Sequence, residues 1–298
     1  MKILLVGRQG QVAHELRRSL ACLGNLISLD RHTPLRLDLA DPDSIVQCVR
    51  DIRPALIVNA AAYTAVDRAE TETELAYAIN GTAPGILAEE ARALGAGLIH
   101  FSTDYVFPGD ASVPYQETDA TGPGNVYGHS KLKGEQAIQQ VGVPHYILRT
   151  AWVYGLRGQN FLLTMLRLMR EREVVRVVDD QQGAPTWSRA IAEATALMIA
   201  RSLSDRGFET GGREGIYHLT ASGSTHWFGF AAAIRTGAIA KGLLPDSSAV
   251  LEPISTAGYP TPAKRPAYSV LNTDKLAQHF GCRLPHWEDS LSLCLDAN

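Results

Sequence analysis

The sequence predicts an α/β protein: a doubly wound parallel sheet with a smaller C-terminal lobe laid over it. Three observations carry that reading. Short apolar runs alternate with helix-period segments as far as residue 150. The runs hold Leu, Ile and Val at successive positions, as strands covered on both faces must. A glycine turn joins the first run to the first helix.

In order, residues 2–6 (KILLV) form a strand that ends at Gly7, and residues 11–23 keep helical spacing through Val12, Leu16, Leu20 and Leu23 before Gly24. A strand at 26–30 (LISLD) follows. Asp41 then serves as an N-cap, with Pro42 at the first helical position, where its missing N–H costs nothing. ALIVN (55–59) is a buried strand, and a helical stretch from about 71 to 94 closes at Gly95. GLIHFS (97–102) and HYILRT (145–150) are two more strands, separated by a Pro- and Gly-rich loop and a helix carrying YGHSK (127–131).

Past residue 150 the rhythm loosens. A helix at about 159–172, a strand at 174–180 and a helix at about 188–202 precede a Gly-rich break at 207–215. A strand at 216–220, a helix at 226–242 and a Pro-rich loop or edge stretch at 253–266 follow. Residues 1–150 are therefore the sheet domain, joined by elements from about 174–202 and 216–240, and residues 151–298 are mainly the lobe.

Composition narrows the function classes. With 298 residues, 45% of them hydrophobic and a net charge of -3, the chain has no arginine run that would track nucleic acid or an anionic membrane. No apolar window reaches the ~18 residues of a membrane span. The N-terminal apolar run is too short for a signal peptide, so a cytoplasmic protein is expected. Four cysteines without CxxC spacing predict reduced, buried thiols. Nine histidines without an HxxxH pair predict no zinc site.

Gly7, Gly10 and Ala13 form GxxGxxA directly after the first strand. Glycines there let the backbone turn and approach a pyrophosphate at a helix N-terminus, the Rossmann-type arrangement for a dinucleotide. Asp30 ends the second strand, where an acidic side chain meets an adenosine ribose, and Asp38 and Leu39 follow. Ala60, Ala61 and Ala62 leave room for a cofactor across the third strand's end. Asp30 favours the 2′-hydroxyl of NADH, whereas Arg8 and Arg31 suit the phosphate of NADPH, a mixture that suits an enzyme accepting both.

Tyr127 and Lys131 are one helical turn apart and so share a face. A free phenol titrates near ~10, and an ammonium beside it favours the phenolate and makes it a usable acid for a carbonyl under reduction. The lysine can also hold ribose hydroxyls. Ser102-Thr103-Asp104 ends strand 97–102, where a hydroxyl can meet the same carbonyl oxygen. Glycine loop, strand-end hydroxyl and YxxxK, in that order, resemble the extended short-chain dehydrogenase/reductase superfamily.

Longer phrases are similar to one branch, the dTDP-4-dehydrorhamnose reductase family: VNAAAYTAVDRAE (58–70), STDYVFPG (102–109), YGHSKLKGE (127–135), ILRTAWVYG (147–155), DDQQGAPT (179–186) and TPAKRPAYSVLNTDKL (261–276). The resemblance implies NADPH-dependent reduction, with NADH also accepted, of the C4 ketone of a dTDP-linked 6-deoxyhexose. This is the last step of dTDP-L-rhamnose synthesis, which feeds cell-surface polysaccharide. It implies that Gly10, Gln11 and Val12 contact the cofactor phosphates, Asp30, Arg31, Asp38 and Leu39 the adenosine end, and Ala60 to Ala62 the middle of the dinucleotide. Tyr127 becomes the proton donor, Lys131 its cofactor-binding partner and Thr103 the helper at the carbonyl. Thr103, Asp104 and Trp152 meet the sugar nucleotide, bound by the C-terminal lobe.

Some family members form a magnesium-dependent dimer through glutamates. Glu15 matches one of these, but Arg189 stands at another and LSLCLDAN carries none, so magnesium is not expected. The expected partner is a nucleotide sugar, not nucleic acid or membrane, and the expected state is a monomer or homodimer. Two alternatives share the fold: a regulatory subunit like that of methionine adenosyltransferase, and an epimerase or dehydratase. The intact Thr103, Tyr127 and Lys131 argue against the first. The lack of a further acid–base residue beside Thr103 argues against the second.

Overall fold

A computed structural model describes residues 1–205 and 207–297. Its centre is a six-stranded parallel sheet of β1 (Lys2–Val6), β2 (Asn25–Leu29), β3 (Leu56–Asn59), β4 (Gly97–Thr103), β5 (His145–Thr150) and β12 (Gly215–His218), in the order β12-β5-β4-β3-β1-β2. From β1 the chain moves to β2 on one side and to β3 on the other, so the crevice at the strands' C-terminal ends lies between β1 and β3.

Alternation along the strands explains the two-sided core. Ile3 and Leu5 of β1 join one cluster with Val58, Ile99 and Leu148, while Leu4 and Val6 join another with Ile57, Leu98 and Ile147. The second face is covered by α2 (Pro42–Ile52), α5 (Ala83–Leu94) and α6 (Val126–Val141), through Val49, Leu87 and Ile138. The first is covered by α1 (Gln11–Ser19) and α8 (Ser188–Ala200), and runs on into the lobe helices α7 (Phe161–Glu171), α9 (Trp227–Ala240) and α11 (Trp287–Asp296). Each such side chain taken fully from water contributes about 1.5–3 kcal/mol, which favours one continuous body over two hinged ones.

Short strand pairs complete the fold: β6 (Val153–Tyr154) with β9 (Thr186–Trp187), β7 (Val174–Val178) with β14 (Val250–Ile254), β8 (Gln182–Gly183) with β13 (Thr225–His226), and β10 (Leu203–Ser204) with β11 (Gly207–Phe208). Helix α10 (Asp274–Phe280) lies beside β12. Strand 174–178 thus lies outside the central sheet, while helix 227–240 packs into the core cluster on its first face. The edge beside β5 is taken by β12, and β7 pairs instead with β14, an edge strand that tolerates Pro253.

The stretch expected as one helix from 71 to 94 is broken. After α3 (Val66–Ala69), α4 (Thr73–Tyr77) passes through a π turn at Ala78–Thr82 into α5. Asn80 explains the extra residue, since its side chain accepts from the Tyr63 N–H and donates to the Tyr63 carbonyl, both at 2.9 Å. Of the cysteines expected to be buried, Cys48 and Cys294 are, whereas Cys22 is exposed on the turn after α1; all four are free thiols. Among the described residues no helix is long and apolar enough to cross a membrane.

Candidate active site

Parallel strands bring Gly7, Asp30, Ala60 and Thr103 to one edge of the sheet. Gly7 has φ +108°, and a Cβ on it would lie 3.4 Å from the Ala61 nitrogen, so the first turn and the alanine run touch at the crevice. Gly10 caps α1 with φ −63°, and a Cβ there would meet nothing within 4 Å. Packing therefore does not demand that glycine. An open space before the amides of a helix N-terminus is what a pyrophosphate needs, so these residues fit a dinucleotide.

The other residues expected at the cofactor divide. The Gln11 side chain is engaged within the protein, donating to the Val153 carbonyl and accepting from Asn160 at 2.9 Å. Val12 packs on the core. Asp30 accepts from the His32 N–H at 2.9 Å, and the Arg31 side chain reaches His32. Asp38 is held by Arg36 at 2.7 Å and by the Ala40 N–H, which together keep its carboxyl below the usual range. Leu39 is buried in the second core cluster, which makes its side chain a packing residue. Ala60, Ala61 and Ala62 are half-buried at the crevice.

Helix α6 is anchored at both ends of its first turn. Asn125 caps it, accepting from the Gly128 N–H and donating to the Lys264 carbonyl, both at 2.8 Å, and Glu70 accepts from the Val126 N–H at 2.9 Å. Glu70 is therefore a clamp on the helix. Two glycines let α6 lie close: a Cβ on Gly128 would come 2.3 Å from the Tyr105 carbonyl oxygen, and one on Gly134 2.2 Å from that of Asn80. His129 is exposed.

This approach brings Tyr127 to Thr103. The Thr103 hydroxyl lies near enough to the phenol to favour its ionised form, donates to Asp104 Oδ1 at 3.0 Å and accepts from the Tyr105 N–H at 3.2 Å. The Tyr105 ring meets that of Tyr127 edge-on at 5.6 Å. Burial raises Tyr127 above the ordinary tyrosine value, and the neighbouring Thr103 hydroxyl only partly offsets this. Burial also lifts Asp104 to about 6, against hydrogen bonds from Ser269 and Thr103. Arg265, paired with Asp67 at 2.7 Å, acts on Tyr105 and ties the 261–266 loop to the site.

Lys131 departs from expectation. It is fully buried, with Nζ against the Phe101 carbonyl at 2.5 Å and His100 Nε2 at 3.1 Å, and it is not among the groups that shift Tyr127. The ammonium expected to acidify the phenol is turned toward β4, because the sheet offers the amine its nearest polar partners. Trp152 also differs. It adopts φ +46°, a strained value for a bulky residue, and stacks on Trp227 with ring centroids 3.5 Å apart and planes at 4°, so one face is already covered. Trp227, Asn59 and His100 went unnoticed in the sequence. Their partners are distant in the chain and no local spacing marks them.

Glu15 does not fit a shared metal. Its carboxylate is paired with Arg189 at 3.4 Å and Arg18 at 3.3 Å, and among the described residues no cluster of three metal-binding side chains occurs.

A family model, the RmlD substrate binding domain, matches residues 1–298. The chain is 47% identical over 298 residues to a dTDP-4-dehydrorhamnose reductase of Burkholderia thailandensis, covering 99% of this chain and 98% of that one. The crystal structure of the Clostridium acetobutylicum reductase superposes with a TM-score of 0.90 at 34% identity, covering 100% of this chain and 99% of that one. That of the Bacillus anthracis reductase, in complex with NADP, does so with a TM-score of 0.89 at 34% identity and the same coverage. With the family model spanning its whole length and such relatives matching it almost end to end, the chain belongs to the dTDP-4-dehydrorhamnose reductase family.

Proposed function

We propose that the protein reduces the C4 ketone of dTDP-4-dehydro-β-L-rhamnose to dTDP-L-rhamnose, using NADPH and accepting NADH. The observation that carries the reading is Tyr127 set beside Thr103 at the C-terminal edge of the sheet, on the same edge as the glycine turn. Gly7, Gly10 and the first amides of α1 hold the dinucleotide, which supplies the hydride when bound. Tyr127, kept protonated at neutral pH by its buried setting, gives its proton to the carbonyl oxygen as charge develops there. Thr103, whose one hydroxyl proton goes to Asp104 in the free protein, turns it to the same oxygen when substrate is bound. Trp152 offers its half-exposed indole to the sugar nucleotide, and Lys131 reaches the ribose by leaving its contacts with β4. With Glu15 engaged by arginines, the protein works as a monomer or a metal-free homodimer, in the cytoplasm, on a small molecule and not on nucleic acid or membrane.

The test is NADPH oxidation followed by absorbance, with and without the 4-keto sugar nucleotide, in dTDP and UDP forms. Turnover is expected only with the sugar present. Tyr127→Phe should lower kcat by roughly 10²–10⁴-fold while still binding cofactor. A variant as fast as the parent removes Tyr127 as proton donor.

A further inference from the structure

Thr150, the last residue of β5, pairs in register with Thr103 of β4, so Trp152 stands two residues beyond the edge that carries Thr103. Its backbone has φ +46°, a region a bulky side chain leaves unless its surroundings hold it there. Three contacts do the holding. The Trp152 carbonyl accepts from the Thr186 N–H at 3.1 Å. β8 brings bare backbone against the ring, since a Cβ on Gly183 would come 2.4 Å from Trp152 Cε2 and 2.6 Å from its Nε1. Trp227 supplies the third, a flat indole 3.5 Å from the first between centroids and only 4° from parallel.

Trp227 is itself fixed from several sides. It opens α9, whose N-cap His226 accepts from the Gly229 N–H at 3.1 Å. Thr225, two residues before it, pairs with Gly183, so the indole and the bare backbone come from one strand pair. The Phe161 ring leans on it at 4.6 Å. Its Nε1–H donates to Oε1 of buried Gln181 at 3.2 Å, and Gln181 Nε2 donates to Thr256 Oγ1 at 2.9 Å. The tryptophan of α9 thus has one tilt open to it, and Trp152 lies parallel to that tilt.

We infer that Trp227 is a positioning residue that fixes the strained Trp152 indole in the orientation in which it meets substrate. The inference deepens the reductase reading and rests on it only for the ligand that this ring meets. Trp227 acts through another side chain and not at the C4 ketone, so its loss weakens sugar-nucleotide binding more than it slows the chemistry. A stacked aromatic pair is worth about a three- to tenfold change in binding.

The test combines spectra and kinetics on Trp227→Leu, with Trp227→Met in its place should that variant not fold. The chain has four tryptophans, and the ring resonances lost in Trp152→Leu identify those of Trp152. A ring stacked on another indole lies in its shielding current, so the parent Trp152 protons should be upfield of ordinary tryptophan positions and return toward them in Trp227→Leu. KM for the 4-keto sugar nucleotide should rise about three- to tenfold, with kcat moving much less and the NADPH Kd unchanged. Trp227→Phe, which keeps a flat ring, should recover most of the loss. In a Trp152→Leu background, Trp227→Leu should add nothing, because the ring it acts through is gone. Unshifted Trp152 resonances in the parent, a KM that no folded variant moves, or an equal rise in both backgrounds overturns the inference. Shifted resonances that relax in the variant, without turnover of any sugar nucleotide, remove the reductase reading alone. Turnover with unshifted Trp152 resonances removes the inference alone.

Discussion

At Asp104 the fold keeps a carboxyl group out of water, and that has a stability consequence. Its value rises from 3.8 to about 6 because burial outweighs the hydrogen bonds from Ser269 and Thr103. Between those pH values the native state binds more protons than the unfolded chain, so stability falls as pH rises through that window. The loss is complete above it and on the order of 3 kcal/mol. Asp104→Asn keeps an oxygen for the Thr103 hydroxyl and removes the charge. It should gain about 1–3 kcal/mol at pH 7.5 and nothing near pH 4, read from urea denaturation at both values; equal gains would place the effect elsewhere. At this scale the sequence was legible where chemistry is local: Thr103, Tyr127 and the glycines are marked by spacing along one strand end or helix turn. Lys131 was legible in position but not in orientation, because its partners, His100 and Phe101, belong to a strand that only folding brings beneath the helix. Trp152 faced the same limit, since Trp227 is a separate segment.

Among elements, the two kinds of glycine make a contrast that can be measured. Gly128 is required by packing: an added methyl would strike the Tyr105 carbonyl, and backbone cannot rotate aside. Gly128→Ala should cost about 1–3 kcal/mol and slow turnover by at least about tenfold as Tyr127 backs away from Thr103. Gly10 has open space, so Gly10→Ala should leave stability within about 0.5 kcal/mol while weakening NADPH binding. Thermal melts and cofactor titrations decide; Gly10→Ala melting like Gly128→Ala would make both merely structural. Strands β1 and β5 matched their expected bounds because apolar runs between breakers are short-range signals, as is the Asp41–Pro42 start of α2. The π turn was not legible, since its cause is an asparagine bonding the backbone of Tyr63.

Across the whole molecule, one buried ion pair joins the layers. Arg149 of β5 and Glu135 of α6 are 2.7 Å apart, and Arg149 also lies over the Phe107 ring at 4.9 Å. Arg149→Met would strand the carboxylate and should cost about 3–5 kcal/mol, and adding Glu135→Leu should recover much of that. Chemical denaturation of the single and double variants gives the comparison. If both lose the same amount, the unpaired charge is not the cause. Both residues lay in recognisable phrases, but nothing in either phrase paired them.

The hydrogen bond from Asn125 to the Lys264 carbonyl spans 139 positions of chain. During translation the sheet through β5 can form long before that carbonyl exists, because N-terminal segments fold first. A nascent chain stopped short of residue 264 would own its glycine turn and its phenol, yet leave the helix start that carries the phenol half-fastened. Competence arrives near the end of synthesis, and a ribosome-stalled series of lengths would see it switch on there.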